Sequence, residues 1–181
     1  GMEGDHGPCL RELERICSAL APVRLGILGN HDFLEMVPEL EKIGLPVLLN
    51  ESFTLERDGA RLWISGIDDP HFYKTHDLAK ARAGIPPNEC AILLSHSPET
   101  FAQAADAGFE LMLGGHTHGG QICLPGGRPI IVPCRAPRKF ISGRWEHLGL
   151  QGYTSRGTGG CGIAARWNCP PEITLHILRT A

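Results

Sequence analysis

No stretch of this 181-residue chain is apolar over the roughly 18 residues that a membrane-spanning helix needs. The opening Gly1-Met2-Glu3-Gly4-Asp5 lacks the apolar centre of a secretory leader. No C-x-x-C pair occurs, and the seven cysteines (Cys9, Cys17, Cys90, Cys123, Cys134, Cys161 and Cys169) are odd in number and scattered. That argues against a disulfide framework and a zinc ribbon. Reduced, mostly buried thiols are expected instead, and with them a reducing compartment, the cytoplasm. Charge of neither sign prevails: 17 basic residues stand against 20 acidic ones, for a net −3. A nucleic-acid partner or an anionic membrane surface therefore has no electrostatic footprint here. A small anionic substrate is still compatible, because bound metal ions supply positive charge locally. No repeat, low-complexity tract or linker divides the chain, so residues 1–181 read as a single domain.

The apolar pattern that is present reads as α/β. Leu10, Leu13, Ile16, Cys17 and Leu20 recur at helical spacing, predicting a helix over 9–20. Apolar runs at 23–28, 91–94 and 109–113 predict buried strands, with a short strand at 47–49. Extended segments 52–57 and 60–65 flank Asp58-Gly59, the signature of a hairpin with a type I′ turn. Helices are expected over 33–43, over 74–82, and from Pro98 to Ala107, the last capped by Ser97. Ile173, Leu175 and Ile177 alternate with Thr174 and His176, which predicts a final strand.

Three of the predicted strands run into a turn that presents histidine or asparagine. The first ends at Gly29-Asn30-His31-Asp32, the second at Ser95-His96-Ser97-Pro98, and the third at Gly114-Gly115-His116-Thr117-His118-Gly119-Gly120. Strand ends are where α/β sheets bind ligands. Imidazole suits borderline divalent metals, and the carboxamide of Asn30 is a neutral oxygen donor. Glycines on both sides of His116-Thr117-His118 let the backbone approach closely and let the two rings diverge toward different ions. Each motif alone has a plainer reading: Asn30-His31-Asp32 can cap the following helix, and a lone His96 is more often structural. The common placement favours a metal site.

These three motifs, in this order, resemble the third, fourth and fifth motifs of the calcineurin-like metallophosphoesterases. Asp68-Asp69-Pro70 and the tail from Ser155-Arg156-Gly157 to Ile173 resemble its bacterial YkuE- and YaeI-like phosphodiesterase branch. The resemblance implies a four-layer αββα sandwich of two mixed sheets and a site for two divalent ions, manganese, iron, zinc or nickel. It implies Asn30, His96 and His116 as ligands of one ion and His118 as a ligand of the other. His31 would contact phosphate and protonate the leaving oxygen, with Asp32 orienting His31. The implied reaction is hydrolysis of a small phosphate ester, or diester, by metal-activated water.

The family's first motif, Asp-x-His, occurs nowhere in the chain. Gly4-Asp5 stands 25 residues before Asn30, the place of the second motif, but no apolar strand precedes it. The expectation is therefore a domain truncated by its first strand or strands, with weak metal binding of one ion or none. An uncovered sheet edge would invite pairing with a second copy. The alternatives to an active phosphoesterase are a non-catalytic remnant or scaffold module that keeps the fold, and a protein completed by a partner chain. Histidines outside the motifs, His71 among them, read as surface or packing residues.

Overall fold

The computed structural model describes residues 6–20 and 23–179. Its centre is a six-stranded mixed sheet with strand order β1-β2-β3-β4-β8-β7. The strands are β1 (Glu51–Arg57), β2 (Ala60–Gly66), β3 (Ala91–Ser95), β4 (Leu111–Gly114), β7 (Gly143–His147) and β8 (Leu150–Thr154). A two-stranded ribbon, β5 (Cys123–Leu124) with β6 (Arg128–Pro129), forms the second sheet. The class is thus the expected two-sheet α/β arrangement, with the second sheet reduced to a ribbon among the described residues. Four α-helices are described: α1 (Gly7–Ala19), α2 (Val37–Lys42), α3 (Leu78–Arg82) and α4 (Phe101–Asp106).

The hairpin forms as predicted. Arg57 pairs with Ala60, and Asp58 and Gly59 between them take φ of 53° and 79°, the sign a type I′ turn requires at both positions. Ser97 caps the turn that opens at Pro98, accepting the Glu99 amide, and α4 follows. The helix expected over 74–82 is confined to α3, because Asp77 rather than an earlier residue caps it, accepting the Lys80 amide at 2.9 Å.

Strands β2, β3, β4 and β8 run parallel to their neighbours in that order. Their registers pair Gly66 with Leu94, Ser95 with Gly114 and Gly114 with Thr154. All four carboxyl ends therefore lie side by side, and the residues just beyond them share one rim. A core of Ile67, Ala81, Leu93, Ala104, Phe109, Met112, Phe140, Trp145 and Leu150 packs beneath α3 and α4. A second cluster of Leu28, Met36, Leu40 and Val47 receives Leu10 and Leu13 from α1.

Three predicted strands do not form: 23–28, 47–49 and 173–177. The run 23–28 is extended, but its pairing is one parallel bridge, Gly26 to Val47. Segment 47–49 takes part only through that bridge. What fixes the run is packing: Ile27 and Leu48 press on Gly66, where a Cβ would fall 2.4 Å from Leu48 Cβ. The run thereby delivers Gly29 and Asn30 to the rim.

Residues 173–177 form no ladder, and Ile173, Leu175 and Ile177 are 90%, 85% and 71% exposed. Alternation identifies which residues share a face; it does not supply a partner strand. The polar face makes the contacts instead: Tyr153 Oη donates to Glu172 Oε1 at 3.0 Å, and the Tyr153 and His176 rings lie 5.1 Å apart.

All seven thiols are free, with Cys17, Cys123 and Cys169 buried and Cys9, Cys90 and Cys161 exposed, so burial is less general than expected. Among the described residues no helix is long and apolar enough to cross a membrane.

Candidate metal centre

The adjacent ends of β3 and β4 bring His96 and His116 together, and the packed run before Gly29 brings in Asn30. His116 Nε2–H donates to the Pro133 carbonyl at 2.9 Å. A carbonyl only accepts, so this bond fixes the tautomer and leaves the Nδ1 lone pair free. That Nδ1 lies 3.0 Å from His96 Nε2, which lies 2.7 Å from Asn30 Oδ1. The His96 proton is thus shared between two lone pairs. Two donors each about 2.1 Å from a common ion at tetrahedral or square angles sit roughly 3.0–3.4 Å apart. A cation replacing that proton would find the three donors near the spacing it needs.

The ring of His96 rests directly on Gly29, where a Cβ would come within 2.6 Å of Nδ1 and Cε1. Burial above all, then His116, pushes His96 down to about 4, with Asp69 partly offsetting. His116 is also lowered, again chiefly by burial, against the opposing pull of the Pro133 carbonyl, Glu99 and Asp69. Both rings are accordingly neutral near pH 7, the form in which imidazole binds metal. Among the described residues no group of three His, Cys, Asp or Glu side chains is arranged to hold an ion. The converging set is two imidazoles and a carboxamide.

His118 stands apart from this trio. Its Nδ1 is 3.5 Å from Arg166 Nη2, and burial, Arg166 and His31 lower its pKa against the pull of the Gly159 carbonyl. The loop that carries it is contorted: His116, His118 and Gln121 have φ of 66°, 49° and 56°. Left-handed backbone at three non-glycine residues costs roughly 1–3 kcal/mol each and persists only where the surroundings hold it. Gln121 supplies part of that hold, exchanging hydrogen bonds with the backbone of Cys161 and Ile163. Gly120 supplies another part, since a Cβ there would lie 2.2 Å from Pro129 Cβ.

His31 is exposed beside the cluster. The Asp32 carboxylate accepts the Gly29 amide at 2.7 Å, and no hydrogen bond to the His31 ring occurs among the described residues. Asp32 thus shapes the turn that presents Asn30. Asp5 lies outside the described residues.

At the end of β2 the sequence offered Asp68-Asp69-Pro70 only as part of the resemblance, and His71 only as a surface or packing residue. Gly66-Ile67-Asp68-Asp69-Pro70 leads to His71, whose ring centroid is 4.2 Å from that of His116. His71 Nδ1 donates to Glu99 Oε1 at 3.0 Å. The Asp69 side chain, fully buried, accepts the amides of His71, Phe72 and Tyr73. The signal was available: β2 ends in a glycine and a histidine follows a few residues on, as at the end of β4.

Comparison with known proteins agrees with the motifs. The chain is 32% identical over 180 residues to the uncharacterized metallophosphoesterase YkuE of Bacillus subtilis, an alignment spanning 96% of this chain and 60% of YkuE. It is 27% identical over 154 residues to the phosphodiesterase YaeI of Escherichia coli, covering 81% of this chain and 55% of YaeI. A transmembrane protein with metallophosphoesterase domain from Bos taurus is 31% identical over 201 residues, covering 96% of this chain and 44% of that protein. The chain thus spans 60% or less of the length of each of these relatives. No family model matches it, and no solved structure matches it significantly. The rim motifs in order, and relatives of this name along most of the chain, both point to the calcineurin-like metallophosphoesterase superfamily.

Proposed function

We propose that the chain carries the imidazole–carboxamide part of a metal-dependent phosphoesterase site and serves the hydrolysis of phosphate esters, phosphodiesters among them. The observation that carries this reading is the convergence of Asn30 Oδ1, His96 Nε2 and His116 Nδ1 within 3.0 Å steps. These three residues would hold one divalent ion, of manganese, iron, zinc or nickel, and His118 would face a second. When bound, such ions polarise phosphoryl oxygens and make water acidic enough to ionise near neutral pH.

The chain's own residues do the rest. Gly29 and the Pro133 carbonyl hold the two rings, and their burial keeps both unprotonated. His31, exposed and next to Asn30 in the chain, would meet the substrate phosphate and protonate the leaving oxygen. Asp32 supports the turn on which His31 and Asn30 stand.

A second reading is favoured by the donor set itself, which holds no carboxylate. On that reading the chain binds metal and does not turn over substrate unless further acidic ligands are supplied. Hydrolysis of bis(p-nitrophenyl) phosphate with added manganese separates the two. Turnover that falls by roughly 100-fold or more in His31→Ala, with manganese binding intact, supports catalysis. Manganese binding lost in His116→Ala, without turnover in the parent, supports the second reading. Absence of both binding and turnover rejects the metal site.

A further inference from the structure

We propose that Glu99 is a positioning residue for His116, acting through the His71 ring on one side of the imidazole and through the Pro133–Arg135 strap on the other. The inference rests on the metal-site reading above. One oxygen makes both connections: Glu99 Oε1 accepts His71 Nδ1–H at 3.0 Å and the Arg135 amide at 2.7 Å.

The first route ends in a ring contact. The His71 and His116 rings lie 4.2 Å apart, inclined at 43°. His71 is itself anchored at the backbone, where Asp69 accepts its amide at 3.2 Å and those of Phe72 and Tyr73 at 2.6 and 2.9 Å. Its side-chain orientation therefore depends on the bond to Glu99. The second route ends in a hydrogen bond. Arg135 is two residues beyond Pro133, whose carbonyl accepts His116 Nε2–H, and Cys134 between them lies 3.7 Å from Ser97 Oγ. The His116 imidazole is thus held over one face and at one nitrogen, and Nδ1 is aimed at His96.

Among the described residues neither Glu99 nor His71 hydrogen-bonds to Asn30, His96 or His116, so any effect on an ion is indirect. Partners that orient a metal-binding histidine typically contribute roughly 10–100-fold to affinity.

The test is cobalt(II) binding to the purified chain, followed by visible absorption and by equilibrium dialysis, with no activity measured. Glu99→Ala and His71→Ala are each expected to weaken binding roughly 10–100-fold and to shift the ligand-field band. Glu99→Gln keeps an oxygen able to accept both hydrogen bonds and is expected to restore affinity to within a few-fold of the parent. Circular dichroism checks folding, and His71→Ala carries the test if Glu99→Ala does not fold. Parent-like affinity and band in both alanine variants would overturn the positioning role while leaving the metal site standing. Failure of Glu99→Gln to rescue would also overturn it, since charge rather than geometry would then be at work. A parent chain that binds no cobalt would overturn the metal site and this role together.

Discussion

Gly29 lies directly beneath the imidazole of His96, so close that its missing Cβ would stand 2.6 Å from two ring atoms. The contact is with a ring edge rather than a flexible tip, and it cannot be relieved without moving the ring. Gly29→Ala is therefore expected to displace His96 Nε2 from Asn30 and His116. Divalent-metal affinity should fall roughly 10-fold or more, with a loss of about 1–3 kcal/mol in stability from overpacking. Equilibrium dialysis and urea unfolding measure the two; unchanged metal affinity would show that the ring's place is not set by this glycine.

The depressed pKa of His96 makes the metal-free chain sensitive to acid. Its folded value, about 4, is below the ordinary 6.5. Between those values the unfolded chain binds a proton that the folded chain refuses, so stability rises with pH. The contribution is complete above about pH 6.5 and is lost as pH falls through about 4, on the order of 3 kcal/mol in all. His116 and His118 are shifted the same way and add to it. Urea midpoints from pH 7.5 to 4 should fall more steeply for the parent than for His96→Asn. Equal slopes would mean that His96 is not held neutral in the fold.

Gly152 makes a corresponding demand away from the site. It faces Trp145 across β7 and β8, and a Cβ there would lie 2.2 Å from the indole. The indole Nε1–H in turn donates to Thr154 Oγ1 at 2.9 Å, at the end of β8. Gly152→Ala is expected to cost about 3 kcal/mol, lowering the melting temperature by roughly 6–12 °C for a chain of this size. A parent-like melt would mean the indole has another seat.

Arg166 gathers the chain around His118. Its guanidinium donates to the carbonyls of Arg156 (2.7 Å), Gly157 (3.3 Å) and His118 (3.3 Å), and its Nε to Gly159 (2.9 Å). Arg166→Met keeps the stem and removes the donors. Amide exchange over 156–160 should accelerate at least tenfold, equivalent to about 1.4 kcal/mol or more of local stability. Unchanged protection there would assign the loop's order to Gln121 alone.

The sequence disclosed the rim better than the sheet. His96 and His116 were legible because each follows a short apolar run, and a run buried on both faces is a strong sign of a central parallel strand. The same logic misread 23–28, whose apolar residues pack on Gly66 without a continuous ladder, and 173–177, whose alternation exists without a neighbour. His71 was not placed at the rim because β2 was read only as half of a hairpin. A strand paired antiparallel on one side and parallel on the other gives no local sign of its second neighbour. The left-handed φ of His116 and His118 was illegible too, because a positive φ at a non-glycine residue has no local sequence sign when glycines flank it.

The outward stripe of Ile173, Leu175 and Ile177 bears on how the protein must be handled. From Ile173 to Leu178 the chain carries no Asp, Glu, Lys, Arg or Pro, and it lies extended without a ladder among the described residues. Such hexads stack readily into cross-β fibrils. Concentrated solutions are expected to nucleate thioflavin-positive aggregates from this end, and a gatekeeping charge such as Leu175→Lys is the remedy.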